Sequence, residues 1–279
     1  MPYDFLLNTM KTITSRILLV LAFGIASRVS LASDEPLPNI DDLMKKFIQR
    51  MQQEDKQKLE EKYSFIEHRL HDELDKNGVV KQHFDRTFQL VMLEGHPFLR
   101  MIAKDGKPLS ADDRQKQTDR EKKFLEEQHK KAEKKEDKKA DDDDLKLDDQ
   151  FMSHFRFEIV GREPLNDRDS YVISVLPRPS NSPVRNNGEK IFTHMQGRVW
   201  VDARDYTLAK CDLHLSEPTS FYGILGSLRQ LDFLLQRRLV DGNVWMTEKQ
   251  NLSLDGRKLV SSMRMKQEST YSDFTRISE

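Results

Sequence analysis

Cysteine is almost absent: Cys211 is the single thiol in 279 residues, so no disulfide can form within the chain and stability has to come from a packed core. Glycine is sparse, and no glycine-rich phosphate loop, G-x-S-x-G, H-E-x-x-H or C-x-x-C occurs. Those gaps remove the common signatures of nucleotide, serine-hydrolase, zinc-protease and dithiol chemistry. An excess of either charge is missing too. Lys and Arg number 46 against 47 Asp and Glu, which argues against a surface built for nucleic acid. Long apolar runs are lacking except for "ILLVLAFGIA" at 17–26, too short for the roughly 20 residues that span a bilayer.

That run has the flanks of a secretory signal peptide. Lys11 and Arg16 precede it, Arg28 closes it, and Ser30-Leu31-Ala32 places small residues at the cleavage-specifying positions. Residues 1–32 are therefore expected to be a leader, cut between Ala32 and Ser33. "LASD" at 31–34 is close to a lipoprotein signal, but Asp34 stands where the acylated cysteine would be. The mature chain is expected to be exported, unlipidated and without a stable transmembrane anchor.

After the leader, "NIDDLMKKFIQRMQQED" repeats Ile40, Leu43, Met44, Phe47, Ile48 and Met51 at helical spacing. Asn39 suits the N-cap, and Asp41 and Asp42 suit the first turn. From 59 to 103 the period shortens to that of strands. Asn77-Gly78 is a hairpin signal, and Phe84, Phe88, Leu90 and Met92 share one face on which Arg86 is the polar exception. Residues 110–149 are nearly all charge. Ser110 with Asp113 has the form of a capping box, and pairs such as Lys123/Glu127 support a solvated helix fraying into "DDDD", read as an insertion.

Strand patterning resumes at Phe151 and continues almost to the C-terminus. Turns are expected at Asn166-Asp167, Asp241-Gly242 and Asp255-Gly256. About ten long strands with short turns point to one strongly curved antiparallel sheet rather than a sandwich. One stretch breaks the pattern: "SEPTSFYGILGSLRQ" (216–230) crowds Phe221, Tyr222, Ile224, Leu225 and Leu228 into a connection that either plugs the concave side or covers a cavity there.

Candidate chemistry is thin. His68 and His71 would share a face on a helix, but on a strand they point to opposite sides. "DDDD" (141–144) lacks the glycine and closing glutamate of a calcium loop. Cys211 keeps phase with Ala209, Leu213 and Leu215, as a small buried hydrophobe does. No catalytic residue, metal ligand or cofactor is assigned, and a non-enzymatic protein is expected. A hydrolase would require clustered acids or a Ser/His pair meeting in a cleft.

"FEIVGREPLNDRDSYVISVLPRP" and "GRVWVDARDYTLAKCDLHLSEP" run as a strand with G-x-E, a turn, a strand ending in a proline-flanked loop, then G-x-V-W-V-D into the next strand. With the leader, the amphipathic helix and the meander before them, they resemble the periplasmic outer-membrane lipoprotein carrier superfamily, whose LolA/LolB-like fold is shared by RseB. The resemblance implies a single α+β domain over 33–279. Its sheet would be an incomplete, half-open β-barrel, with helix 39–54 and segment 216–230 against the concave face and the charged helical insertion at 110–149. It implies a periplasmic, non-enzymatic protein binding a lipid or an acylated lipoprotein in that hollow, without a cofactor. Phe221, Tyr222, Ile224, Leu225 and Leu228 would line it, with Phe84 and Phe88 across from them. The alternative is an envelope sensor or assembly factor that meets a protein partner, the charged arm included. The motif residues shape a fold rather than a reaction, and no carrier's functional residue carries over by position.

Overall fold

The computed structural model describes residues 19–20, 36–133, 146–221, 226–258 and 261–277. The rest of the leader with its Ala32–Ser33 junction, the acidic tract, and Tyr222, Ile224 and Leu225 lie outside the described residues.

Helix α1, Ile40–Gln57, starts where expected. Asn39 Oδ1 accepts the backbone N–H of Asp41 at 2.8 Å and of Asp42 at 3.3 Å, which satisfies two of the donors a helix start leaves unpaired. It ends at Lys58, whose φ of 48° breaks the helical path. A single turn of 3-10 helix, Leu59–Lys62, then leads into the strands.

The strands are β1 Leu19–Val20, β2 Tyr63–Leu74, β3 Val80–Leu93, β4 His96–Lys104, β5 Lys107–Pro108, β6 Phe155–Leu165, β7 Arg168–Pro177, β8 Met195–Asp202, β9 Leu208–Leu215, β10 Thr219–Phe221, β11 Gly226–Val240, β12 Val244–Lys258 and β13 Ser261–Arg276. They form one sheet in the order β5-β4-β3-β2-β13-β12-β11-β9-β8-β7-β6, with β10 beside β11 and β1 beside β12. Every pairing is antiparallel except that of β1. The two ends of the order do not pair with each other among the described residues, so the sheet stays open. The fold is the α+β, open antiparallel sheet that the sequence implies.

Two expectations about connections need correcting. Asp255-Gly256 is not a turn: both residues lie inside β12, where Asp255 pairs with Gln230 and Gly256 with Leu228. A Cβ on Gly256 would sit 2.8 Å from the Ser227 carbonyl oxygen and 3.0 Å from Leu228 Cδ2, so the glycine serves close approach between strands rather than reversal. From Thr219 on, the segment 216–230 is strand rather than an irregular connection in its described parts. Thr219–Phe221 and Gly226 onward pair with each other as a hairpin at the start of β11.

Helix α1 lies on one face of the sheet, here termed the inner face. Its Leu43, Met44, Phe47 and Met51 pack with Ile173 of β7, Val201 of β8, Leu231, Phe233 and Leu235 of β11, Leu252 and Leu254 of β12 and Met265 of β13. Complete burial of such side chains is worth about 1.5–3 kcal/mol each, which makes this stripe the main adhesive of the helix. The polar anchor is Arg237, 2% exposed, which reaches Glu54 Oε2 at 3.1 Å and donates to the carbonyl oxygen of Trp245 at 2.7 Å. A second cluster, Tyr63, Phe65, Val244, Met246 and Tyr271, gathers where β2 and β13 meet the turn end of β12.

The residues that carry the resemblance hold the β6–β9 end together. Trp200 Nε1 donates to Glu163 Oε2 at 2.8 Å, and Arg168 grips Asp202 through two bonds of 2.6 and 2.7 Å. Gly197 lies so close to β9 that a Cβ would stand 2.1 Å from the Asp212 carbonyl oxygen. Cys211 is buried among these strands, and burial pushes its thiol up to about 12, which leaves it protonated and unreactive at neutral pH.

Helix α2, Ala111–Glu133, opens the charged insertion with the expected cap: Ser110 Oγ accepts the Asp113 N–H at 3.1 Å. Its position differs from that of a solvated arm. The helix runs back along the outer edge of β4. Gln117, 5% exposed, accepts the otherwise unpaired Met101 N–H at 3.1 Å. Arg100 forks onto Glu121 at 2.8 and 3.0 Å, and the Phe98 and Phe124 rings lie 5.0 Å apart. A sheet edge left bare invites pairing with other chains, and α2 covers this one.

Candidate functional site

Helix α1 covers only part of the inner face. Its core takes residues from β7, β8, β9, β11, β12 and β13 and none from β2, β3 or β4. Strand register shows what the uncovered part presents. Met265, which packs in the core of α1, pairs with Glu73. Counting by twos along β2, His71, Arg69 and Glu67 share that face. Their partners on β3 are Phe84, Arg86 and Phe88, and Phe88 in turn pairs with Met101 of β4. A bulge between Thr87 and Phe88 then brings Lys104 opposite Arg86.

The surface built this way is apolar with a basic row across it. Phe88 is 6% exposed beneath the Arg69 guanidinium, 4.7 Å from the ring centre, and Arg86 lies 4.7 Å over the Phe84 ring. Phe84, Leu90, Leu99 and Met101 are half-buried. His71 packs 5.8 Å from the Phe84 ring, and burial is the main reason its imidazole titrates below the usual range.

Charge is unevenly matched in the row. Arg69 forks onto Glu67 with two bonds of 2.7 Å, and Glu67, 1% exposed, also accepts from Ser269 Oγ at 2.9 Å. Burial works against the Arg69 charge, but Glu67 outweighs it and raises the guanidinium above its ordinary value. Lys104 meets Asp113 at 3.7 Å. Arg86 has no carboxylate within ion-pair distance among the described residues. Neither does Arg120, which projects from α2 and donates to Gln117 Oε1 at 3.0 Å. Burial, then the charges of Arg86 and Arg69, hold the Arg120 guanidinium below its ordinary value.

The other residues singled out in the sequence lie elsewhere. Leu228 is wholly buried in the core shared with α1 and exposes nothing to a ligand. The backbone of Phe221 pairs with Gly226 at the far side of the sheet from β3, with β2, β13, β12 and β11 between. His68 and His71 lie on a strand and diverge: His68 contacts Asp85 Oδ1 at 2.8 Å on the outer face. Among the described residues no group of three or more His, Cys, Asp or Glu is placed to hold a metal ion. No described helix is long and apolar enough to cross a membrane. The outer face carries a shallow recess of about 430 Å³ whose walls include Asp72, Asp212, Asp232 and Glu268. Leu70, Phe233, Leu234, Leu252 and Lys266 line it as well, so its walls mix apolar and charged groups.

Arg86 stood out in the sequence as the polar exception on an apolar strand face. Arg69 gave no such signal, because only the β2–β3 register brings it opposite Arg86.

No family model and no curated protein matches the chain. Among solved structures it is similar to a LolA superfamily protein from Nitrosomonas europaea, at 10% identity over 87% of this chain and 95% of that one, with a TM-score of 0.28. A lipoprotein-sorting protein domain of the outer membrane from Vibrio parahaemolyticus gives 11%, 83%, 92% and 0.30. MucB, solved in complex with MucA(peri), gives 10%, 85%, 100% and 0.24. The first two carry the name of the superfamily that the sequence resembles. At these TM-scores the likeness carries no argument of its own, and the functional reading rests on the inner face.

Proposed function

We propose that the protein is an exported, non-enzymatic binder of a lipid or an acylated protein, held against the inner face of β2, β3 and β4. The observation that carries this reading is the half-covered sheet. Helix α1 seals the β7–β13 part, whereas Phe84 and Met101 stay half-buried on the remainder, outside the core of α1, and Leu90 and Leu99 beside them pack against the second cluster with Leu59. A half-buried apolar strip on an open sheet can take an acyl chain by burial alone, at about 0.8 kcal/mol for each methylene withdrawn from water. The leader over 1–32 supports export, and the domain is taken as 33–279. Tyr222, Ile224 and Leu225, with Phe221, stay proposed as a cover that would reach over the strip from the β10–β11 connection.

The test is native mass spectrometry of the mature protein purified from its envelope without detergent. An acyl species bound at one per chain and released on denaturation is the expected result. Phe84→Ser with Met101→Ser should abolish it in a folded protein, and Leu225→Arg should weaken it. Apo protein that also ignores added lipid would refute the reading. It would turn attention to protein partners of the charged insertion, best tested by removing only 134–145, since deleting 112–147 would bare the β4 edge.

A further inference from the structure

On the strip, His71 is the side chain whose ordinary titration lies closest to neutral pH. Register sets it opposite Phe84 of β3 and Gln267 of β13, and its ring lies 5.8 Å from that of Phe84. The Phe84 ring also carries the Arg86 guanidinium at 4.7 Å, and Arg69, two residues along β2, stands opposite Arg86. The charged neighbours of the imidazole are thus Arg69 and Glu73 of β2 and Arg86 of β3, with Lys104 of β4 one strand further on. From β13 only the neutral Met265, Gln267 and Ser269 share this face, and the core of α1 takes nothing from β2 or β3. Glu67 is committed to Arg69, so Glu73 is the carboxylate left to meet a charge on His71, against two guanidiniums. Burial is the first reason the ring resists protonation; Glu73 works the other way, and Arg69 and Arg86 add to burial. Near neutral pH the ring is uncharged and forms part of the floor.

We propose that His71 makes the strip pH-sensitive: neutral, its ring extends the apolar floor beside Phe84, and protonated, it sets a third cation there and releases the acyl chain. This deepens the lipid-binding reading and rests on it. A charge beneath an acyl chain loses its water without gaining a partner. Like charges on neighbouring strands also repel, and a chain laid over Arg69, His71 and Arg86 would keep water from weakening that repulsion. The effect is reciprocal by linkage. A lipid that prefers the neutral ring by about tenfold must lower the midpoint of the His71 titration by about one pH unit once it is bound.

The experiment measures lysophosphatidylcholine, whose headgroup keeps one charge state across this range, on the mature chain at about pH 7.5 and about pH 5, with the His71 ring followed by NMR. Binding should be about three- to tenfold weaker at the lower pH, and the His71 midpoint should fall by about one pH unit when lipid is present. His71→Phe keeps an aromatic ring without the charge and should bind equally at both pH values. His71→Gln gives the same comparison should the phenylalanine variant misfold. His68→Gln, on the outer face, should keep the wild-type dependence. Equal binding by the wild type at both pH values, or a dependence that survives substitution of His71, would overturn the pH response and leave the lipid reading standing. Failure of the lipid to bind at either pH would overturn both.

Discussion

Glu54→Gln is the substitution that tests how α1 is fastened to the sheet. Arg237 is 2% exposed, and its Nη1 meets Glu54 Oε2 at 3.1 Å, Thr207 Oγ1 at 3.3 Å and the Leu208 carbonyl oxygen at 3.3 Å, while Nη2 donates to the Trp245 carbonyl oxygen. A glutamine in place of Glu54 would keep the shape and hydrogen-bonding reach of the side chain but leave a buried guanidinium without a carboxylate in contact, Glu60 being the next nearby negative charge. Removing one partner of a buried pair costs about 3–5 kcal/mol. The lower end applies here, because Glu54 is 13% exposed and three neutral acceptors remain on Arg237. With a urea m-value of about 3 kcal/mol per molar, a loss of about 3 kcal/mol moves the unfolding midpoint down by about 1 M. Arg50 also pairs with Glu54, at 3.1 Å, but is more exposed, so Arg50→Gln should cost under about 1 kcal/mol. The double variant Glu54→Leu with Arg237→Met should recover most of the loss, since a well-packed apolar pair avoids the desolvation altogether. A midpoint for Glu54→Gln within about 0.2 M of wild type would refute the reasoning, and would mean that α1 is held by its apolar stripe alone.

Two further outcomes concern the β6–β9 end. Burial works to raise the Asp202 carboxyl, but the Arg168 fork and the N–H groups of Arg204 and Asp205 outweigh it and hold the group below the usual aspartate range. A depressed carboxylate stabilises the fold above its unfolded value of about 3.9 and ceases to do so as pH falls through its folded value. Thermal melts of the wild type should therefore drop below about pH 4, and Asp202→Asn should show a flatter profile at a lower melting temperature near neutrality; parallel profiles would rule this out. Gly197→Ala places a methyl where the Asp212 carbonyl oxygen stands, at a φ of 147°, and should destabilise the domain by several kcal/mol, read by urea titration.

Much of the scaffold could be read from residue pattern. The stripe from Ile40 to Met51 and its Asn39 cap specify α1 because both depend only on local spacing. The turn at Asn77-Gly78 holds as expected, with Asp75 Oδ1 accepting the N–H groups of Asn77 and Val79. Asp255-Gly256 shows where the same logic fails. A glycine beside an aspartate reads as a reversal, yet glycine is also what two crossing backbones require, and only the partner strand decides between them. The insertion misled for a related reason. A stripe of Gln117, Arg120, Glu121 and Phe124 has too little apolar area to signal docking, but a sheet edge offers N–H groups, and a buried glutamine amide meets that need better than a leucine would.

The inner strip of β2–β4 was half legible. Phe84 and Phe88 alternate with Arg86 in the sequence, so the strip and its anomaly were both visible. The partner that makes the anomaly costly was not, because the opposition of Arg69 and Arg86 depends on a register set by the Asp75–Val79 turn and the bulge between Glu73 and Leu74. A one-residue slip at that turn would leave Arg69 where β13 holds it and bring Asp85 and Thr87 of β3 inward in place of Phe84, Arg86 and Phe88. The native register instead sets Arg69 and Arg86 opposite each other, with the Phe88 ring under the first guanidinium and the Phe84 ring under the second.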